Sequence, residues 1–213
     1  PYIKGYEKKQ KVCLQAKSFL LNEIYQLSPI VLRKGVWIHF DVEVNPLDDN
    51  APIYIWGMLP PGYERSDFEY IWSEKNEDEL AWREFLAKIE SYRLQYSEIV
   101  LAHFSSYERT QIRNYAERYS MQDNPTVSWL LSDDSPLMDL LEVVKQSLVL
   151  PVYGYGLKTI CKNSELVNFH WDLKESGSQW SVVRYLDYLQ ANSAEEKEKI
   201  KQEIVSYNRD DVR

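Results

Sequence analysis

Asp41 and Glu43 are separated by one residue and end an apolar run that begins at residue 36. In a strand, side chains two residues apart point to the same side, so the two carboxylates would lie close together. Neighbouring carboxylates repel each other unless a proton or a cation lies between them, and a divalent metal ion is the natural cation. The alternative is an exposed acidic pair at a strand end. The flanking Trp37 and Phe40 favour a central strand, where an unpartnered acid is costly.

Glu108 is a third candidate ligand. It follows the apolar stretch at 97–104, at a predicted strand-to-helix junction of the kind where α/β sheets place their ligands. The alternative is structural, because Ser105 and Glu108 have the spacing of a capping box, in which the glutamate only accepts a backbone N–H. Both interpretations stay open at this point.

Tyr207 and Asp211 form the third constellation. At 3.6 residues per turn they continue the helical face that Ile200 and Ile204 define, so we expect both to point inward. The alternative is an aromatic at the core edge and a solvated acid. Asp210 is a competing ligand that lies about a third of a turn from this face, and we expect it to face away.

The elements that position these residues follow from hydrophobic periodicity. Three apolar or alternating segments with short turns, 36–44, 51–59 and 67–73, predict an antiparallel meander. Helical periodicity then alternates with a short strand at 97–104 and leads to helices that include 157–163, 178–190 and 193–213. Ser193 and Glu196 have capping-box spacing for the last helix. The predicted fold class is α/β, with a mixed sheet flanked by helices.

Length and composition predict one folded domain that is preceded by a helical lead-in. The chain has 213 residues, of which 44% are hydrophobic and 27% are charged, as in globular proteins. We expect a helical lead-in at 1–34, the end of a preceding region, and one domain at 35–213. The chain stops in mid-helix at Arg213, which predicts a C-terminally truncated piece of a longer protein. No segment resembles a signal peptide or a membrane span, so we expect a cytoplasmic protein.

Charge and metal-ligand types limit the class of site. The net charge of −8 argues against a protein that coats nucleic acid through a broad basic face. It is uneven, with +5 over residues 1–34 and −13 over residues 35–213. Two distant cysteines and three histidines show no zinc spacing. A metal in this chain would therefore be held by oxygen, and bound cations would reverse the local field of the acids.

The three constellations together resemble the DnaQ-like, or DEDD, 3′–5′ exonuclease superfamily in its tyrosine branch. The resemblance covers residues 35–213 and is closest to the YprB-type ribonuclease H-like domains of predicted RecB-family nucleases. Those families have a D-x-E strand, an N-x-x-x-[FY]-D strand-to-helix junction and a helical Y-x-x-x-D. The matching residues here are Asp41 with Glu43, His103 with Glu108, and Tyr207 with Asp211. The second motif departs from the pattern, since His103 replaces the usual Asn and Glu108 the usual Asp.

The resemblance implies a fold, a cofactor and a set of roles. The fold would be a ribonuclease H-like mixed sheet, and the activity phosphodiester hydrolysis from a 3′ end with two Mg²⁺ or Mn²⁺ ions. Asp41 would bridge the ions, with Glu43, Glu108 and Asp211 as further ligands, and Tyr207 would orient the attacking water. The implied partner is single-stranded DNA or RNA with a 3′ end, in a larger DNA repair or processing nuclease with additional linked domains.

Three residues are candidates for substrate contact. His103 and Arg109 flank Glu108, and Lys158 lies in the segment 154–162, which resembles a helix start in the same domains. Arg109 is equally compatible with a solvated position, and a surface position is the favoured alternative for Lys158.

Two rival functions remain at this point. A nuclease-like module that no longer cuts and binds nucleic acid for an adjoining domain would fit the altered second motif. A ribonuclease H-type endonuclease would need only the carboxylates and would leave Tyr207 without a role.

Overall fold

The computed structural model describes residues 6–172 and 179–213. The first five residues of the predicted lead-in and Ser178, where a helix was expected to start, lie outside this part. The elements, in chain order, are α1 (Tyr6–Leu21), β1 (Tyr25–Gln26), β2 (Val36–Val44), β3 (Ile53–Leu59), β4 (Glu69–Trp72), α2 (Asp78–Gln95), β5 (Ile99–His103), α3 (Tyr107–Arg118), α4 (Pro125–Leu131), β6 (Leu137–Asp139), α5 (Leu140–Ser147), β7 (Leu148–Val149), α6 (Leu157–Cys161), α7 (Trp180–Gln190) and α8 (Ala194–Val212).

The chain divides into two compact units. One is built from the described residues up to Leu32 together with Asp139–His170. In it, β1 pairs antiparallel with β7, and the Gln15 amide on α1 donates to Leu150 O at 2.7 Å. The helix α1 was predicted, but the association of 139–170 with the lead-in was not.

The second unit, Arg33–Met138 with Trp171–Arg213, is organised around a five-stranded sheet. The strand order is β4-β3-β2-β5-β6, with β2, β3 and β4 antiparallel to their neighbours in the meander and β2 parallel to β5. The predicted α/β class and mixed sheet are therefore confirmed. Because β2 and β5 are parallel, their carboxyl ends lie at the same edge of the sheet.

One face of the sheet forms the larger core. From Ile38 onward the side chains at even positions of β2 are buried, and they join a cluster with Trp82 and Phe85 on α2 and Ile112 on α3. The odd positions of the same strand are only partly buried and face the other side. Period-two alternation thus assigns Asp41 and Glu43 to the face opposite the larger core.

The helices α7 and α8 cover that opposite face. Ile200 and Ile204 on α8 pack with Tyr185 on α7 against Tyr54 and Ile55 on β3. The Tyr54 and Tyr185 rings stack at 4.1 Å between centroids. This packing fixes the register of α8 over the centre of the sheet, where Asp41 and Glu43 lie.

Two local features were not predicted. α4 begins after Asn124, whose side chain accepts the N–H groups of Thr126 and Val127. The strands β1 and β7 are two residues each, too short for an alternation signal. Among the described residues, no helix combines the length and apolar character needed to cross a membrane.

Candidate metal centre

The two ends of the second unit supply acids to one point. Asp41 and Glu43 extend from β2, and Asp211 comes from the last turn of α8. One carboxylate oxygen from each of these residues lies within 4.8 Å of the corresponding oxygens of the other two. All three side chains are partly buried. The structure therefore brings together the first and third predicted constellations.

Glu108 joins this cluster from the strand-to-helix junction. It lies in the first turn of α3, is 3% exposed and is hydrogen-bonded to Asp41. Two carboxyl groups can share such a bond only if one carries a proton, unless a cation takes the proton's place. The capping alternative does not describe this residue. The N-cap of α3 is Ser106, without a side-chain cap, and Ser105 Oγ accepts Tyr107 N–H instead.

The junction before α3 is conformationally unusual. Ser105 has φ of +125°, a region that residues with a side chain rarely adopt. Such a backbone persists only where its surroundings hold it, and it is typical of functional sites. Here the unusual turn leads from the end of β5 into the helical turn that presents Glu108.

Electrostatics at the cluster favour a cation. Burial raises the pKa of Asp41 well above its ordinary value, and the nearby charges of Glu43, Asp211 and Glu108 raise it further. Each of these neighbours disfavours the ionised form because like charges repel at short range. A divalent ion among these oxygens would remove that repulsion.

Tyr207 borders the same cluster. It is 3% exposed, its ring lies 5.3 Å from that of Trp180, and it is hydrogen-bonded to Asp211. Burial raises the pKa of the Tyr207 phenol, and the charges of Asp211, Glu43 and Asp41 raise it further. The hydroxyl therefore keeps its proton and is a hydrogen-bond donor.

Asp210 lies outside the cluster, as its position off the Ile200–Ile204 face predicts. It is 2% exposed, accepts the N–H of Asp172 at 2.7 Å and pairs with Arg213 at 3.3 Å. Asp210 therefore has a structural role, since it holds the backbone at Asp172. The predicted helical register is correct, although the buried side of α8 is broader than the predicted stripe.

Each acid of the cluster accepts a hydrogen bond from a nearby polar side chain. Asn208 Nδ2 donates to Asp41 Oδ2 at 2.8 Å, and Ser181 Oγ donates to Glu43 Oε2 at 2.6 Å. Trp171 Nε1 donates to Asp211 Oδ1 at 2.5 Å. Such bonds fix one oxygen of a carboxylate and orient the other, as groups around metal ligands commonly do.

The donor to Glu108 is His103. Its Nδ1 lies 2.6 Å from Ser105 O and 3.2 Å from Glu108 Oε2. A carbonyl oxygen only accepts, so Nδ1 carries the proton and the contact to Glu108 is a donation as well. The ring is 4% exposed, and it packs edge-on against Phe40. His103 thus lies inside the fold, where the sequence suggested a substrate contact.

Sequence reasoning missed three of these donors. One indication for Asn208 was present in the sequence. An asparagine in a helix interior cannot cap the helix, so its amide beside Tyr207 was a candidate for a contact at the site. Ser181 and Trp171 carried none, because their contacts depend on chain segments far from Glu43 and Asp211 in sequence.

The other two predicted substrate contacts are placed differently. The Arg109 guanidinium donates to Leu131 O at 3.1 Å and Ser132 O at 3.4 Å, at the carboxyl end of α4. Lys158 lies on α6 in the other unit of the chain. Its contact with substrate stays a prediction.

A protein-family model matches the part of the chain that carries these acids. The model of the RNase H superfamily matches residues 38–213, which include most of β2, all of α3 and α8, and all four acids. The chain belongs to the RNase H superfamily. No curated protein shows a significant match to the chain.

The donor set of this RNase H-like domain fits a hard divalent cation. Mg²⁺ binds oxygen ligands at roughly 2.0–2.1 Å, so two ligands of one ion lie within about 4.2 Å of each other. The 4.8 Å limit on the oxygens of Asp41, Glu43 and Asp211 is compatible with that geometry after small side-chain adjustments. Nitrogen and sulfur ligands are absent from the described acidic cluster, as such an ion prefers.

Proposed function

We propose that the chain is a metal-dependent nuclease that hydrolyses phosphodiester bonds from a 3′ end. The observation that carries the proposal is the convergence of Asp41, Glu43 and Asp211, within 4.8 Å, beside the hydroxyl-bearing Tyr207. Membership of the RNase H superfamily supports a nuclease that acts on nucleic acid. Mg²⁺ or Mn²⁺, bound as two ions, would supply Lewis-acid stabilisation of the charge that develops on the phosphodiester.

Asp41 is the central ligand in this proposal. It lies near Glu43 and Asp211 and is also hydrogen-bonded to Glu108. Asp41, Glu43, Asp211 and Glu108 would hold the ions, and Asp41 is the proposed shared ligand because it lies close to the other three. The Glu108 side chain, one methylene longer than the family's usual Asp, still reaches Asp41.

Tyr207 distinguishes the proposed exonuclease from an endonuclease of the same fold. A ribonuclease H-type endonuclease needs only carboxylates, whereas this phenol donates a hydrogen bond beside them. We assign Tyr207 the role of orienting the attacking water through its hydroxyl, a positioning role that needs no loss of the proton. With this assignment we propose that the chain falls in the tyrosine branch of the DEDD exonucleases, near the YprB-type domains.

The roles of the remaining candidates follow from their contacts. His103 is reassigned from substrate contact to a residue that holds Glu108, because its ring is buried and its Nδ1 is engaged. The Arg109 guanidinium is engaged by the carbonyl oxygens of Leu131 and Ser132, so its contact with substrate, like that of Lys158, stays a prediction. We further propose a nucleic-acid substrate with a free single-stranded 3′ end, and additional linked domains in a larger DNA-processing nuclease.

The test is degradation of single strands labelled at the 3′ or the 5′ end. DNA and RNA are incubated with Mg²⁺, with Mn²⁺ or with EDTA. We expect rapid loss of a 3′ label as mononucleotides, a shortening ladder from a 5′ label, and no reaction in EDTA. Internal fragments from both labels would indicate an endonuclease. Binding without any cleavage would support the rival module that presents nucleic acid to another domain, for which the altered second motif is the argument.

A further inference from the structure

Asn208 is completely buried on α8, and it directly follows the proposed catalytic Tyr207 in the sequence. It is 0% exposed, and its Nδ2 donates to Asp41 Oδ2 at 2.8 Å. A carboxylate whose one oxygen is held by a rigidly packed amide cannot rotate freely. The orientation of the other oxygen of Asp41 is therefore determined by a side chain outside the acidic cluster.

Gly57 leaves the space that this amide occupies. It lies on β3 directly opposite Asp41 in the antiparallel register. A Cβ at position 57 would be 1.7 Å from Asn208 Oδ1 and 2.9 Å from its Cγ, closer than any real contact. It would also approach Phe68 at 3.0 Å. A side chain at position 57 is thus incompatible with the observed position of Asn208.

The buried amide of Asn208 costs the folded state free energy. Asn208 Oδ1 is buried and has no hydrogen-bond partner among the described residues. A buried acceptor without a donor is unfavourable, and an apolar residue of similar size would avoid that cost. The contact that offsets it is the donation from Nδ2 to Asp41.

We propose that Asn208 is a positioning residue that directs Asp41 toward the metal ions, and that Gly57 is a glycine in order to admit it. This inference rests on the proposed metal-dependent function. It adds a residue pair, on β3 and α8, that the acidic motifs do not contain. Asn208 acts through Asp41 and touches neither substrate nor ion.

The test is Mn²⁺ binding to the full chain, measured by isothermal titration calorimetry without nucleic acid. The variants are Asn208→Leu, which keeps the volume and removes the donor, and Asn208→Ala, which needs no extra space. Loss of a group that orients a metal ligand typically weakens metal affinity roughly 10–100-fold, and we expect a loss in that range for both variants. Asn114→Leu, at an exposed position on α3, is the matched control and should bind Mn²⁺ as the wild type does.

A double-mutant cycle tests the part of Gly57. Gly57→Ala alone should weaken Mn²⁺ binding to a similar extent, because the new Cβ displaces Asn208. In the Asn208→Ala background the same substitution should cost little further affinity, since the clashing oxygen is gone. Additive losses would overturn the claim that Gly57 acts through Asn208.

The outcomes separate this inference from the function on which it rests. A merely structural Asn208 would lower the melting temperature of folded variants and leave their Mn²⁺ affinity unchanged, which would overturn the positioning role alone. A wild type that binds no Mn²⁺ would overturn the proposed metal site and the positioning role with it.

Discussion

At the scale of single residues, the site depends on how like charges are tolerated at Asp41. Its oxygens lie among those of Glu43 and Asp211, it is hydrogen-bonded to Glu108, and the described contacts include one neutral donor, Asn208. The folded protein without metal therefore carries electrostatic repulsion at this point. A neutral residue at position 41 removes a repelling charge, which stabilises the metal-free protein. The same substitution removes a proposed metal ligand, which takes away stabilisation by the metal.

Asp41→Asn should raise the melting temperature of the metal-free protein and abolish both its response to Mn²⁺ and its nuclease activity. Relief of repulsion stabilises the folded state, at roughly 2–4 °C per kcal/mol in a chain of this size. The check is thermal denaturation with and without Mn²⁺. Asp210→Asn is the matched control, since it neutralises a buried acid outside the cluster. It should lower the melting temperature and preserve the Mn²⁺ response. A response that persisted in Asp41→Asn would show that Asp41 is not a ligand.

Tyr207→Phe should separate chemistry from metal binding. In the proposed mechanism the phenol orients water and holds no ion, so thermal stabilisation by Mn²⁺ should survive while the cleavage rate falls roughly 10²–10⁴-fold, as for a lost positioning or acid–base group. Single-turnover cleavage of a 3′-labelled strand measures the rate. Tyr185→Phe, a buried tyrosine on α7, is the control and should cleave at the wild-type rate. Equal rates for Tyr207→Phe and the wild type would remove the phenol from the mechanism.

At the scale of elements, the sequence predicted best where one element carries a complete pattern. β2 was predicted with its observed limits, residues 36–44, because a long apolar run with β-branched residues is unambiguous. Period two then placed Asp41 and Glu43 on one face, and the 3.6-residue period placed Tyr207 and Asp211 inward. These are local properties of a strand and a helix, and they do not require knowledge of their neighbours.

Apart from α4, whose cap by Asn124 is local, the unpredicted features depend on contacts between distant segments. Asn208 meets Asp41 only through the register of α8 over β2 and the vacancy at Gly57. The motif at Glu108 had two interpretations because spacing alone cannot say whether a glutamate caps its helix or turns toward a strand. The two-residue strands β1 and β7 gain stability from each other and have too few residues to show alternation.

Ser193→Ala should destabilise the protein by about 1 kcal/mol without changing the proposed nuclease activity of the folded protein. Ser193 Oγ accepts Glu196 N–H at 3.1 Å at the start of α8. Tyr207 lies about 21 Å further along the helix, so fraying of the first turn should not reach the site. Urea denaturation and a cleavage assay measure the two quantities, with Ser193→Asn as a control that retains a capping side chain. A loss of activity in folded Ser193→Ala would mean that the whole helix moves when its start is released.

At the scale of the whole molecule, the acids link folding to metal binding because they come from both ends of the second unit. Asp41 lies near its beginning and Asp211 near its end, and their oxygens meet only when β2 and α8 are packed together. An unfolded chain cannot present these ligands at one point. An ion that binds the cluster must therefore favour the folded state by mass action.

Mg²⁺ or Mn²⁺ should consequently raise the melting temperature of the wild type, and EDTA should reverse the rise. At a metal concentration of 100 times the dissociation constant, a single site would add about 2.7 kcal/mol to the free energy of unfolding, and the gain should grow with the logarithm of concentration. Differential scanning calorimetry over a series of Mn²⁺ concentrations measures this dependence. Na⁺ at equal ionic strength is the control, because general screening would relieve repulsion among the acids without a specific site. If Na⁺ stabilised the protein as much as Mn²⁺ does, the acids would be a repulsive cluster and not a binding site. A rise specific to Mn²⁺ that was absent in Asp41→Asn would locate the ion at these four carboxylates.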